Sequence, residues 1–201
     1  MKDYSLSFTA ASLMFYETEQ VARLYLEHND WKVVAEMVVN DNVLQKGTVS
    51  TRKREFAEIK KRLANLNRDE ILFLTEATTD ELKLYCLILC AKSYRLIFEF
   101  ISEVVRDKYL MFDYVKFIES KTASSEKLQR ITEKTEYKIK QVIFRILEQS
   151  SLIDSSKARN IQKPYISDEL QNIVSQYDVR FLACFLYANR EIETIGEKYH
   201  V

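Results

Sequence analysis

Only two glycines, Gly47 and Gly196, and one proline, Pro164, occur in a chain of 201 residues. Sandwiches, barrels and βαβ folds turn tightly many times, and those turns draw on glycine for positive φ and on proline for a preset φ. A chain poor in both is expected to satisfy its backbone within helices, so the fold class is all-α. The same scarcity removes the common phosphate cradles. Neither glycine belongs to a G-x-G-x-x-G or G-x-x-x-x-G-K pattern, where the backbone must approach a phosphate closely.

Hydrophobic residues make up 47% and charged residues 30% of the chain, a balance that can bury a core. The most apolar stretch, Leu82 to Val105, is interrupted by Lys83, Lys92, Arg95, Glu99 and Glu103. A membrane span needs about 20 largely apolar residues, so this stretch reads as two packed core helices or one kinked helix. The N-terminus lacks an uninterrupted apolar run ahead of a small-residue cleavage site, and a cytoplasmic protein without membrane contact is expected.

Three cysteines give an odd number, and Cys86 and Cys90 fall four apart inside a helical pattern, as core residues do. His28 and His200 are the only histidines, too few and too isolated for a thiol-imidazole metal site or a Ser-His-Asp arrangement. No metal, cofactor, small-molecule substrate or catalytic residue is therefore assigned, and the chain is read as a binding protein.

Apolar spacing sets out the helices. Residues 4–28 form one or two, with Ser12 and Thr18 as cap candidates. Asp30 caps a helix from Trp31 to about Val39, with Val34, Met37 and Val38 on one face. Thr51 opens a third helix to about Asn65, buried through Phe56, Ile59 and Leu63. Asn67 or Asp69 opens a fourth, and Thr79 or Asp80 the apolar fifth. Periodicity weakens from Tyr114 to Glu126, where Ser120, Thr122, Ser124 and Ser125 suggest a linker. Beyond it Ser125 or Thr132 caps the run into Tyr137–Gln149. Two short apolar runs, Leu152-Ile153 and Ile161 with the Pro-Tyr-Ile after Lys163, flank a polar tip and suggest a β-hairpin wing. The organisation expected is an N-terminal lobe, residues 1–118, with a helix-turn-helix-like segment at about 17–65. A C-terminal lobe, 119–201, follows, with a possible winged helix-turn-helix at about 125–175.

Net charge is +0, yet its distribution is uneven. Residues 46–68 hold eight Lys/Arg against two Glu, and residues 121–163 hold ten against five acids, so the remainder carries −11. Solvated helices usually alternate signs to gain i,i+4 pairs. Clusters such as Arg52-Lys53-Arg54 and Lys60-Lys61-Arg62 accept repulsion that a phosphate backbone would relieve through counterion release. The candidate nucleic-acid contacts are Arg52, Lys53, Arg54, Lys60 and Lys61, joined by Lys134, Lys138 and Lys140 and by Lys157, Arg159 and Lys163 in or near the wing. Ordinary solvated helix faces are the alternative.

Several segments carry a family resemblance. The opening Tyr4-Ser-Leu-Ser-Phe-Thr-Ala-Ala-Ser-Leu13, the Trp31 helix, Ser50-Thr51-Arg-Lys-Arg-Glu-Phe56 through Glu58-Ile59 and Arg62-Leu63, and Lys138-Ile-Lys-Gln-Val-Ile-Phe-Arg-Ile-Leu147 resemble BrxA, a small component of bacterial BREX phage-exclusion systems. The resemblance implies an accessory, non-catalytic role in antiviral defence, other BREX components as partners, and a likeness to the all-helical NusB antitermination proteins. Phe117 to Glu126 and the tail after Asp178 match nothing in it.

Two functions follow as expectations. The first is nucleic-acid binding, double-stranded DNA ahead of RNA. The second is a protein-interaction adaptor that docks through its acidic remainder or an exposed aromatic group, Tyr109, Phe112 and Tyr114.

Overall fold

The structure, a computed structural model, describes residues 3–107 and 112–199. Its described residues form an all-α fold with no strand. A 3₁₀ turn at Ser7–Ala10 precedes α1 (Phe15–His28), α2 (Trp31–Val39), α3 (Val49–Leu63), α4 (Arg68–Glu76), α5 (Thr79–Ser93) and α6 (Arg95–Phe100). A π turn, Ile101–Val105, extends α6. Then come α7 (Phe112–Thr122), α8 (Glu126–Gln129), α9 (Glu133–Gln149), α10 (Asp168–Asp178), a 3₁₀ run at Val179–Phe185 and α11 (Asn189–Gly196).

Most helices begin on a side chain that accepts from an orphan backbone N–H of the first turn. Asp30 accepts from Lys32 N, as expected. Asn67 forms a reciprocal capping box with Glu70, and Ser125 and Thr132 cap α8 and α9. Three expected caps fall elsewhere. Thr48, not Thr51, caps α3, and Thr51 N donates to it. Thr78 opens α5 in a capping box with Glu81, ahead of Thr79 and Asp80. Neither Ser12 nor Thr18 starts α1, whose first turn follows Met14 in a left-handed conformation with no side-chain cap. Thr18 is instead fully buried in the helix.

The α5 helix is the axis of the core. It is buried almost all round, through Leu82, Leu84, Tyr85 and every residue from Cys86 to Ala91, as expected of a helix whose apolar residues do not keep to one stripe. Elements α1, α3, α6, α9, α10 and the 3₁₀ run 179–185 all pack on it. Extended backbone at Tyr94 separates it from α6, so the interrupted apolar stretch is two helices. All three cysteines are free and buried, and burial pushes their thiols up, which disfavours the nucleophilic thiolate.

Two further expectations are corrected. Helix α7 runs through Ser120 to Thr122 where a linker was expected. The hydroxyls of Ser120 and Thr122 bond back to the carbonyls of Phe117 and Ile118, so the polar residues are absorbed within the helix. The chain breaks only at 123–125. In place of a hairpin there is one antiparallel bridge, Ile153 with Ile161, with Gln162 N donating to Leu152 O at 2.8 Å and Asp154 N to Asn160 O at 3.0 Å. Asp154 also accepts from the Asn160 amide side chain, which ties the polar tip and holds its carboxyl below the usual range.

Candidate nucleic-acid interface

Helix α3 divides its positive charge: Lys53, Arg54 and Lys61 are exposed, Arg52 and Lys60 are partly buried, and Arg62 is buried. Arg62 is 4% exposed, and its guanidinium donates to the carbonyls of Leu13 at 2.8 Å and Ser12 at 3.1 Å. Lys60 Nζ lies 5.7 Å from the centroid of the Trp31 ring, and Lys61 Nζ lies 4.2 Å from that of Tyr94. The Tyr94 hydroxyl donates to buried Glu58 on the same helix, and burial, then this carboxylate, raises the phenol above its ordinary range. Arg52 is partly buried, so of the first triplet only Lys53 and Arg54 are exposed.

Helix α9 behaves differently. Its apolar face, Ile139, Val142, Ile143, Ile146 and Leu147, is buried. The opposite face presents Lys134, Tyr137, Lys138, Gln141 and Arg145, all exposed, Tyr137 at 63%. At 3.6 residues per turn these five share an arc of roughly 100° and a ridge about 16 Å long. No carboxylate interrupts the ridge between Lys134 and Arg145. Glu148 closes its far end, where it accepts from the Ser156 hydroxyl in the loop between Ile153 and Ile161. Lys157, next to Ser156, is exposed.

The remaining candidates are partly engaged. Lys140 lies 5.3 Å from the Tyr114 ring, off the exposed ridge. Arg159 stacks on Phe144 of α9 at 4.3 Å and donates from Nε to Ser156 O. Lys163 lies 3.9 Å from Glu191 and 5.5 Å from the Tyr187 ring. Lys134 and Lys138 thus share one exposed face of α9, and Lys157 is exposed in the 154–160 loop that Ser156 ties to Glu148. Gln141 and Arg145 escaped the sequence reading, which weighed runs of charge; the signal that finds them is their spacing from Lys134 and Lys138 opposite the Ile139 face.

The aromatic group expected for an adaptor is not assembled as such. Tyr114 is 1% exposed, packed on Phe100 and Phe144. Tyr109 and the Phe112 side chain lie outside the described residues. Among the described residues, no group of three or more His, Cys, Asp or Glu could hold a metal ion, and no helix is long and apolar enough to cross a membrane.

Comparison with known proteins places this arrangement in a family. A crystal structure described as that of an uncharacterized protein from Magnetospirillum magneticum shares the fold, with a TM-score of 0.79 at 21% identity over 92% of this chain and 98% of that one. A protein named BREX protein BrxA from Bacillus cereus (strain H3081.97) is 28% identical over 172 residues, 82% of this chain and 86% of its own length. Another of that name, from Escherichia coli O9:H4 (strain HS), is 23% identical over 185 residues, 89% of this chain and 87% of its own. The sequence model of the BrxA family matches residues 2–178, a span that contains α3, α9 and the 153–161 bridge. With most of its length matched by the family and by these relatives, the chain belongs to the BrxA family.

Proposed function

We propose that this chain is the BrxA component of a bacterial BREX phage-exclusion system and acts there by binding nucleic acid, double-stranded DNA in preference to RNA. The observation that carries the reading is the α9 ridge, where exposed cations, a glutamine and a tyrosine share one face with no carboxylate between Lys134 and Arg145. Isolated lysines on a solvated helix gain little, whereas phosphates placed along this ridge would release counterions. The width of a B-form major groove, about 12 Å, admits a helix, while the narrow major groove of A-form RNA does not. This favours duplex DNA.

The order α7, α8, α9 and then the 153–161 bridge follows that of a winged helix-turn-helix, with α9 in the recognition position and Lys157 on the wing. Lys134, Lys138 and Lys157 then serve as phosphate contacts, and Gln141 and Arg145 face the base edges. Lys53 and Arg54 at the start of α3 form a smaller accessory contact.

The test is duplex binding by fluorescence anisotropy over a salt series, with Lys134→Gln/Lys138→Gln compared with the parent chain. Removal of two phosphate contacts should lower affinity by tenfold or more at low salt and flatten the dependence of log K on log salt by about 2. An unchanged slope with intact folding would remove α9 from the interface. Tighter binding to structured RNA than to duplex would reverse the choice of polymer.

A further inference from the structure

A second feature lies away from the α9 ridge. The end of the π turn, the wing and the start of α11 enclose an open groove of about 660 Å³. That is within the range of small-ligand sites, which commonly run to about 300–1,000 Å³. Arg106, Arg159 and Lys163 line it from two separate stretches of chain, and Glu191 is its one carboxylate among the described lining residues.

Three cations converging with one anion repel one another unless further negative charge enters. Glu191 does little to offset this. It lies 3.9 Å from Lys163 and also accepts from Ala188 N at 2.6 Å. No carboxylate of the described residues pairs with either arginine. Arg106 donates to the neutral Asn189 Oδ1 at 2.8 Å, and Arg159 is held by Ser156 O and by the face of Phe144. Both guanidiniums are therefore fixed in place by neutral partners, with their charge uncompensated. Ile161 and Leu186 add an apolar wall beside them.

We propose that this groove binds a nucleoside phosphate, with the phosphate on Arg106, Arg159 and Lys163, the base against Ile161 and Leu186, and a ribose hydroxyl donating to Glu191. Each part of such a ligand meets the matching chemistry of the lining. Guanidinium pairs give directed bonds to phosphate oxygens, and a carboxylate accepts from a sugar hydroxyl. The site uses side-chain cations in place of a glycine loop, consistent with the absence of the glycine-rich motifs. It stands apart from duplex binding by α9, since Arg106 has no part in that ridge.

The test titrates the full-length protein with AMP by isothermal calorimetry, with adenosine and inorganic phosphate as comparison probes. AMP should bind with a Kd on the order of 10–100 µM, and adenosine about tenfold or more weaker. Arg106→Gln should weaken AMP about tenfold with an unchanged thermal midpoint and unchanged duplex affinity, and Lys134→Gln/Lys138→Gln should do the opposite. Glu191→Gln should reduce the preference for AMP over deoxy-AMP. The proposal is overturned if AMP does not bind at millimolar concentration or binds Arg106→Gln equally. It is also overturned if phosphate alone binds as tightly as AMP. Loss of duplex affinity in Arg106→Gln without AMP binding to the parent would make the groove a part of the strand interface, against the proposal.

Discussion

Helices α3 and α9 are both rich in lysine and arginine and end in different places. In α3 the fold engages part of the charge: Arg62 ties down the carbonyls of Ser12 and Leu13, Lys60 faces Trp31 and exposed Lys61 lies over Tyr94, while Lys53 and Arg54 stay exposed. In α9 the aliphatic residues Ile139, Val142, Ile143, Ile146 and Leu147 are buried on one side, and Lys134, Lys138 and Arg145 are left exposed on the other. A run of basic residues measures charge along the chain, while an interface depends on charge per face. The compact triplets of α3 look the more like a polyanion site in sequence, yet they split between buried and exposed positions, whereas Lys134, Lys138 and Arg145 of α9 are exposed together on one face.

This contrast can be broken at several points. The largest effect is expected at Arg62, where Arg62→Ala leaves two carbonyls without their charged donor and opens a buried space. Stability to urea should fall by about 3 kcal/mol. A loss near zero would mean that the Arg62 charge is not held by the fold, and the contrast would collapse. Next come the caps: Thr48→Ala and Thr132→Ala should each cost about 1 kcal/mol in thermal unfolding, because each removes the acceptor for a first-turn N–H. Only Thr132→Ala frays the turn that carries Lys134, so only it should also weaken duplex binding; equal binding losses would erase the distinction between the helices. The smallest effect is expected at Lys61. Lys61→Ala removes a cation from the Tyr94 face and should cost about 0.5–1 kcal/mol, with duplex affinity changed less than about twofold. An affinity loss comparable to that of Lys138→Ala would return α3 to the interface.

Much of the helical layout was legible because local chemistry writes it. The near absence of glycine and proline indicated the all-α class, and Asp30, Asn67, Ser125 and Thr132 marked helix starts through hydrogen bonds that span only two or three residues. Where several hydroxyl residues adjoin, as at Thr48, Ser50 and Thr51, each offers the same oxygen and the choice falls to the turn that packs Phe56. At α1 the local signal misled, because Thr18 is held by burial and Met14 supplies a left-handed turn without a polar cap. The serines and threonines of 120–122 misled in the same way, since a hydroxyl that bonds back to its own helix looks in sequence like one that breaks it.

By itself the sequence determined that the chain is helical, that α5 is buried, and that its positive charge gathers in two regions, since these follow from composition and from periods of three and four residues. Only the tertiary structure decided that Tyr114 is core, that Lys60, Lys61 and Arg62 of α3 meet aromatic rings and carbonyls, that Gln141 and Arg145 join the α9 ridge, and that Arg106 meets Arg159 and Lys163 in one groove. The physical reason is range. Helix periodicity and capping act across a few neighbouring residues, whereas a cation's availability depends on rings, carbonyls and other charges brought to it from distant parts of the chain.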